Sequence, residues 1–182
     1  MGFTFEAMQI PDVVLVKPQL LRDARGYFLE MFKESVFLPQ GAAMKIVQIN
    51  SSRSLKGVVR GIHYQILPHA QAKLVQVSLG EIFDVAVDLR RDSSTFGRWV
   101  GAHLSAENRH GLFIPEGFGH GFCALSDVAD VVYYCNREYS AYAERGVIWN
   151  DPKLDIDWPV RQPLLSQKDA VLPALADAEV FP

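Results

Sequence analysis

An all-β fold, an antiparallel sandwich or barrel with a few short helices, is what this sequence predicts, and three observations predict it. Short runs rich in Val, Ile and aromatic residues fill most of the chain, each closed off by Gly, Pro, Asn, Asp or Ser. Helical periodicity is scarce. A chain of 182 residues, 49% hydrophobic and 21% charged, supplies one substantial core rather than two. Many short strands around one core make a sandwich or a barrel, so residues 1–182 are read as a single domain.

In chain order the strand candidates are "DVVLVKP" (12–18), "GYFLEMF" (26–32), "KIVQIN" (45–50), "GVVRGIHYQ" (57–65), "KLVQVSL" (73–79), "EIFDVAVDL" (81–89), "RWVGAHLS" (98–105), "GLFIP" (111–115), "GFCAL" (121–125), "DVVYYCN" (130–136), "GVIWN" (146–150) and "LDIDWP" (154–159). Gly80 and Glu81 join two of these runs and predict a tight hairpin. "EMFKESVFL" and the Ala-rich tail after "LSQKDAVLP" are the two places where a short helix fits.

Period-2 alternation assigns side chains to faces. Lys73 falls in phase with Val75, Val77 and Leu79, so it belongs to an apolar, inward face, where a cation is costly unless something compensates it. In "GFGHGF" His120 goes with Phe118 and Phe122, while Gly117, Gly119 and Gly121 leave room for another backbone on the opposite side. Gln48 and Asn50 share a face and offer neutral amides to a polar ligand. Strict alternation would put Arg60 and His63 on opposite faces, so a bulge near Gly61 is expected if both serve one pocket.

Several function classes are disfavoured. A net charge of −3 lacks the basic surface that nucleic acid requires. No run approaches the roughly 18 apolar residues of a membrane span, and no basic flank precedes an apolar stretch in "MGFTFEAMQIPD", so the cytoplasm is the expected compartment. Cys123 and Cys135 sit in apolar runs, where buried free thiols are expected. Of the five histidines, His69, His103 and His110 are read as surface residues, leaving His63 and His120, fewer than the three protein ligands of a usual catalytic zinc. No metal is expected. There is no Gly-x-Ser-x-Gly elbow and no phosphate-cradling loop, so the remaining chemistry is proton transfer: a histidine base, a tyrosine acid and a lysine facing an oxyanion. The residues alone leave His63 open as a base, a metal ligand or a core side chain.

"RDARGYFLE", "VQINSSRSLKGVVRGIHYQ", "AQAKLVQVSLGEIFDVAVDLRRDSSTFGRW", "LSAEN", "IPEGFGHGF", "YAERGVIWNDP" and "LSQKD", in this order and spacing, resemble the dTDP-4-dehydrorhamnose 3,5-epimerase family over nearly the whole chain. The resemblance implies a cupin or jelly-roll sandwich, a homodimer, no cofactor and no metal. It also implies a nucleotide-sugar substrate, dTDP-4-dehydro-6-deoxy-D-glucose, inverted at C3 and C5. By position it makes His63 the base, Asp169 its orienting carboxylate, Tyr133 the proton donor and Lys73 the group facing the C4 oxygen, with Tyr134 in the wrong phase. Arg25, Glu30, Gln48, Asn50, Arg60, His120, Glu144 and Lys168 fall on binding positions, and Tyr139 lines the same pocket. Asp84 and Asp88 are read as structural. The readings to be tested against it are a relative inverting C3 or C5 alone, a non-catalytic nucleotide-sugar binding module and a metal-dependent cupin.

Overall fold

The structure, a computed structural model, describes residues 2–40, 42 and 44–182. Its strands are β1 (Phe3–Ala7), β2 (Val14–Pro18), β3 (Leu21–Asp23), β4 (Gly26–Phe28), β5 (Gln48–Leu55), β6 (Val59–Gln65), β7 (Lys73–Leu79), β8 (Glu81–Asp88), β9 (Trp99–Ser105), β10 (Gly111–Ile114), β11 (Phe118–Ala124), β12 (Val128–Cys135) and β13 (Glu144–Gly146). One short helix, α1 (Glu34–Phe37), precedes β5.

Two antiparallel sheets face each other, one in the order β1-β2-β10-β7-β12-β5 and the other β13-β6-β11-β8-β9, with β3 and β4 paired as a separate hairpin. This is the cupin-type sandwich. The alternation argument explains its core: Val75, Val77, Leu112 and Val131 from the first sheet meet Ile82, Ala86, Leu104, Phe118 and Phe122 from the second. Both sheets are also covered outside. Phe37 of α1 packs with Val16, Leu74 and Phe113 against the six-stranded sheet, which holds a four-residue helix that propensity alone would not. Ile62, Val85 and Cys123 on the back of the five-stranded sheet are covered by Leu154, Trp158, Leu175 and Phe181. Cys123 and Cys135 are both free and buried. Among the described residues no helix is long and apolar enough to cross a membrane.

Four expectations are corrected. Gly80, at φ +76°, does not close a hairpin: β7 and β8 lie in different sheets, and the turn carries the chain from one to the other. In 146–150 Gly146 closes β13 and Val147 exchanges both backbone hydrogen bonds with Ile62 before the chain leaves the ladder; residues 154–159 form no strand, and Leu154 and Trp158 are buried as an irregular cover over the five-stranded sheet, so their apolar character reflects burial and not pairing. The Ala-rich tail after Pro173 forms no helix, only a turn at residues 175–177; the 3-10 turn Asp169–Val171 precedes it. His110 is half-buried beside Lys17 rather than fully exposed, and burial pushes its imidazole below the usual range.

Candidate active site

The cavity that gathers most of the predicted residues opens between the two sheets and has a volume of about 430 Å³. Each sheet supplies one wall.

The five-stranded sheet contributes through β6 and β11. His120 pairs with His63, and Phe122 pairs with Arg60, so two positions on β11 span three on β6. That is the expected bulge, and it turns Arg60 and His63 to the same side. Gly61 makes it possible: its φ is +116°, and a Cβ there would lie 2.6 Å from the Cα of Gly121. Strand β13 then sets Gly146 opposite His63 and Glu144 opposite Gln65.

The six-stranded sheet contributes rows. Cys135 pairs with Lys73 on one side and Gln48 on the other; one step along, Tyr133 pairs with Val75 and Asn50. Lys73, Tyr133, Gln48 and Asn50 therefore share a face, as alternation requires, and all four line the cavity.

His63 Nε2 is bonded to Asp169 Oδ1 at 2.5 Å, leaving Nδ1 as the other ring nitrogen. Burial alone would raise the Asp169 carboxyl, but hydrogen bonds from His63, Ser166 and the Gly61 amide hold it below the usual carboxylate range. An ionised Asp169 accepts the Nε2 proton and fixes the tautomer whose Nδ1 carries a lone pair. Next to it, His120 Nε2 is bonded to Asp84 Oδ1 at 2.7 Å, with both groups buried. Burial raises the Asp84 carboxyl against the pull of His120 and Lys73, and its Oδ2 has no hydrogen-bond partner among the described residues.

On the opposite wall, burial pushes the Tyr133 phenol up to about 12, and its oxygen lies 2.8 Å from Ser52 Oγ. Burial lowers Lys73, while Cys135, Asp84 and Glu144 act in the other direction. At the rim Tyr139 donates from its hydroxyl to Glu144 Oε2 at 2.8 Å, and Glu144 also pairs with Lys168 at 2.5 Å. Tyr139 N donates to Gln48 Oε1, and Arg60 Nε donates to Ser54 Oγ. Among the described residues no three His, Cys, Asp or Glu side chains converge to hold a metal.

Of the residues named from sequence, Gln48, Asn50, Arg60, His63, Lys73, His120, Tyr133, Tyr139 and Glu144 line the cavity. Asp169 stands behind His63, and Lys168 reaches the rim through Glu144. Arg25 and Glu30 do not line it; Arg25 is exposed in the β3–β4 turn and pairs with Asp23. Sequence reasoning passed over Ser52 and read Asp84 as structural, although each had a signal. Ser52 continues the Gln48, Asn50 phase, and Asp84 lies in phase with Ile82 and Ala86, a carboxylate on a core face just as Lys73 is a cation on one.

This pairing of walls has known counterparts. A model of the dTDP-4-dehydrorhamnose 3,5-epimerase family matches residues 7–177. The Shigella flexneri enzyme of that name is 52% identical over 174 residues, which cover 95% of this chain and 96% of its own. The Pseudomonas aeruginosa enzyme is 51% identical over 177 residues, 96% of this chain and 97% of its own. A solved structure of the Legionella pneumophila dTDP-6-deoxy-D-glucose-3,5-epimerase, in complex with dTDP-4-keto-L-rhamnose, superposes with a TM-score of 0.93 at 43% identity, covering 97% of this chain and 94% of that one. Likeness of this depth, in sequence and in fold and over nearly the full length, means that the chain belongs to the dTDP-4-dehydrorhamnose 3,5-epimerase family.

Proposed function

We propose that the chain acts as one domain that converts dTDP-4-dehydro-6-deoxy-D-glucose to dTDP-4-dehydro-L-rhamnose by inverting C3 and C5. The observation that carries this reading is the opposition of His63 and Tyr133 on the two walls of one cavity. Epimerisation removes a proton from one face of a carbon and returns one to the other, so the base and the acid must flank the sugar.

The 4-keto group makes the protons on both neighbouring carbons acidic, since loss of either gives the same kind of enolate. His63 Nδ1, with its tautomer fixed by Asp169, takes the proton. Lys73 faces the enolate oxygen and lowers its energy, and His120 contacts the sugar beside it. Tyr133 returns a proton to the opposite face. The ketone itself supplies the acidity, and no cofactor or metal is required. Arg60, Lys73 and Lys168 form the local positive cluster that a diphosphate needs in a chain of net charge −3. Gln48, Asn50, Tyr139 and Glu144 complete the nucleotide-sugar site.

The active form is a homodimer. The β3–β4 hairpin belongs to neither sheet, and its Leu21, Tyr27 and Phe28 are exposed. A second copy covering these apolar side chains also carries Arg25 and Glu30 to a site they do not reach within their own chain. The free, buried cysteines favour the cytoplasm as the working compartment.

The test is solvent deuterium incorporation into dTDP-4-dehydro-6-deoxy-D-glucose in D2O, followed by NMR and mass spectrometry. Label at C3 and C5 with the L-lyxo product is the expected result. Label at one carbon alone makes the protein a single-position epimerase, and no label with intact binding makes it a binding module.

A further inference from the structure

Inversion by two groups leaves the protein in the wrong state. After one event His63 holds an extra proton and Tyr133 has lost one, and a second inversion on the same sugar requires both to be reset. His63 sits at a half-exposed position and can shed its proton to water. Tyr133 is the harder case, because it is partly buried against the apolar core, where a phenolate is poorly solvated.

A single hydroxyl among the described residues touches the Tyr133 oxygen, that of Ser52 at 2.8 Å. Ser52 is half-buried, lines the cavity, and lies on β5, the edge strand of its sheet, next to Ser51, which also lines the cavity and is exposed. One side of Ser52 thus meets the tyrosine and the other lies within reach of water. The groups acting on Tyr133 from elsewhere are Asp84, Arg60 and Cys135, with the His120 ring 5.9 Å from its own, and none of these is a hydroxyl that can pass a proton on while remaining neutral.

We infer that Ser52 is a positioning and proton-relaying residue that resets Tyr133 between the two inversions. The inference rests on the role proposed for Tyr133. When Tyr133 has given its proton to the sugar carbon, the Ser52 hydroxyl gives its hydrogen to the phenolate oxygen and takes one from a water molecule on its other side. The hydroxide left behind is neutralised by the proton that His63 releases. One O–H bond forms on Tyr133, the Ser52 O–H breaks and is remade, and the water and histidine steps close the balance with no other reactant. Before the transfer the same hydroxyl aligns the phenol.

The experiment compares Ser52→Ala, Ser52→Thr, Tyr133→Phe and the Ser52→Ala/Tyr133→Phe pair in D2O, reading two rates on dTDP-4-dehydro-6-deoxy-D-glucose. One is deuterium wash-in to unepimerised substrate, which reports removal and return at His63; the other is formation of inverted product. Ser52→Ala should slow product by about tenfold or more while wash-in changes by less than about twofold. Ser52→Thr, which keeps the hydroxyl, should recover most of the loss, and Ser52→Ala should add nothing in the Tyr133→Phe background. Parallel loss of both rates, an unchanged product rate, or a Thr variant no better than Ala would overturn the relay. If Tyr133→Phe itself still makes product at the normal rate, the donor role of Tyr133 fails first; if it loses product and Ser52→Ala does not, only the role of Ser52 fails.

Discussion

His63 and Asp169 are joined at 2.5 Å although 106 positions separate them, one on a strand of the five-stranded sheet and the other in a 3-10 turn near the end of the chain. The carboxylate is kept ionised by three donors and therefore accepts rather than donates. In Asp169→Asn the amide can offer its own N–H to Nε2, which moves the imidazole proton to Nδ1 and removes the lone pair from the sugar side. Wash-in of deuterium at both carbons should fall by roughly 10²–10⁴, the range of a lost general base, while dTDP affinity stays within about twofold. Wash-in at the original rate would disprove the orientation.

Lys73 fixes the alkaline side of the pH profile. Burial lowers its pKa below the ordinary lysine value of about 10.4, and only the charged form stabilises an enolate, so turnover should fall as pH rises through that lowered value. The Tyr133 phenol, at about 12, is still protonated there. Lys73→Arg keeps a charge that does not titrate in this range; its rate should drop roughly 10²-fold for want of the right geometry, and its falling limb should move to higher pH. A limb that stays where it was would assign it to another group.

The bulge at Gly61 is expected to be intolerant of any side chain. A Cβ there meets Gly121 Cα and the His120 carbonyl at 2.6 Å, and the φ of +116° disfavours L-residues in any case. Gly61→Ala should cost about 1–3 kcal/mol in urea unfolding and depress activity further than that loss explains, because Arg60 and His63 share a side only while the bulge persists. Stability and turnover equal to the parent would show that the bulge is not held by this contact.

These positions mark how far the sequence could be read. Lys73, His120 and the amides of Gln48 and Asn50 follow from alternation, since local phase fixes a strand's face, whereas the resemblance picked Tyr133 over Tyr134. The bulge followed from asking how Arg60 and His63 meet. Asp169 had no local signal, because its partner is reached only through the tertiary fold; the resemblance alone supplied it. Gly80 announced a change of direction without saying which sheet the chain would enter. Residues 154–159 carry strand-like composition because Leu154 and Trp158 are buried, and composition does not distinguish burial by packing from burial by pairing.

Acid stability should depend on Asp88. Burial opposes its ionisation, but Arg90, Ser93 and Thr95 donate to it and hold the carboxyl at about 2, below the unfolded value of about 3.9. A depressed pKa contributes stability at pH values above the unfolded pKa and loses it as pH falls through the folded one. Asp88→Asn should therefore cost on the order of 2 kcal/mol at pH 7, with the gap from the parent closing between about pH 4 and pH 2. A gap that is constant across that window would place the effect in packing and not in charge.

The proposed dimer makes a complementation test. Sedimentation should give about twice the chain's 20.4 kDa. Arg25→Ala should weaken dTDP binding by about tenfold, the scale of a lost charged hydrogen bond, although Arg25 lies outside its own chain's cavity. Mixed with His63→Ala, it should regain activity, since one site of each mixed pair then holds a sound His63 and a sound Arg25. A monomer, or no recovery on mixing, would refute the shared site.

The strands that carry His63, Lys73, His120 and Tyr133, β6, β7, β11 and β12, each have a partner on both sides, whereas Gln48 and Asn50 ride on β5 and Glu144 on β13, an edge strand of each sheet. Reactivity is thus anchored on strands hydrogen-bonded along both edges, and part of the ligand contact is hung on margins bonded along one. A lineage or a designer can alter which nucleotide or deoxysugar is accepted by editing those margins, and leave the acid, the base and their spacing untouched.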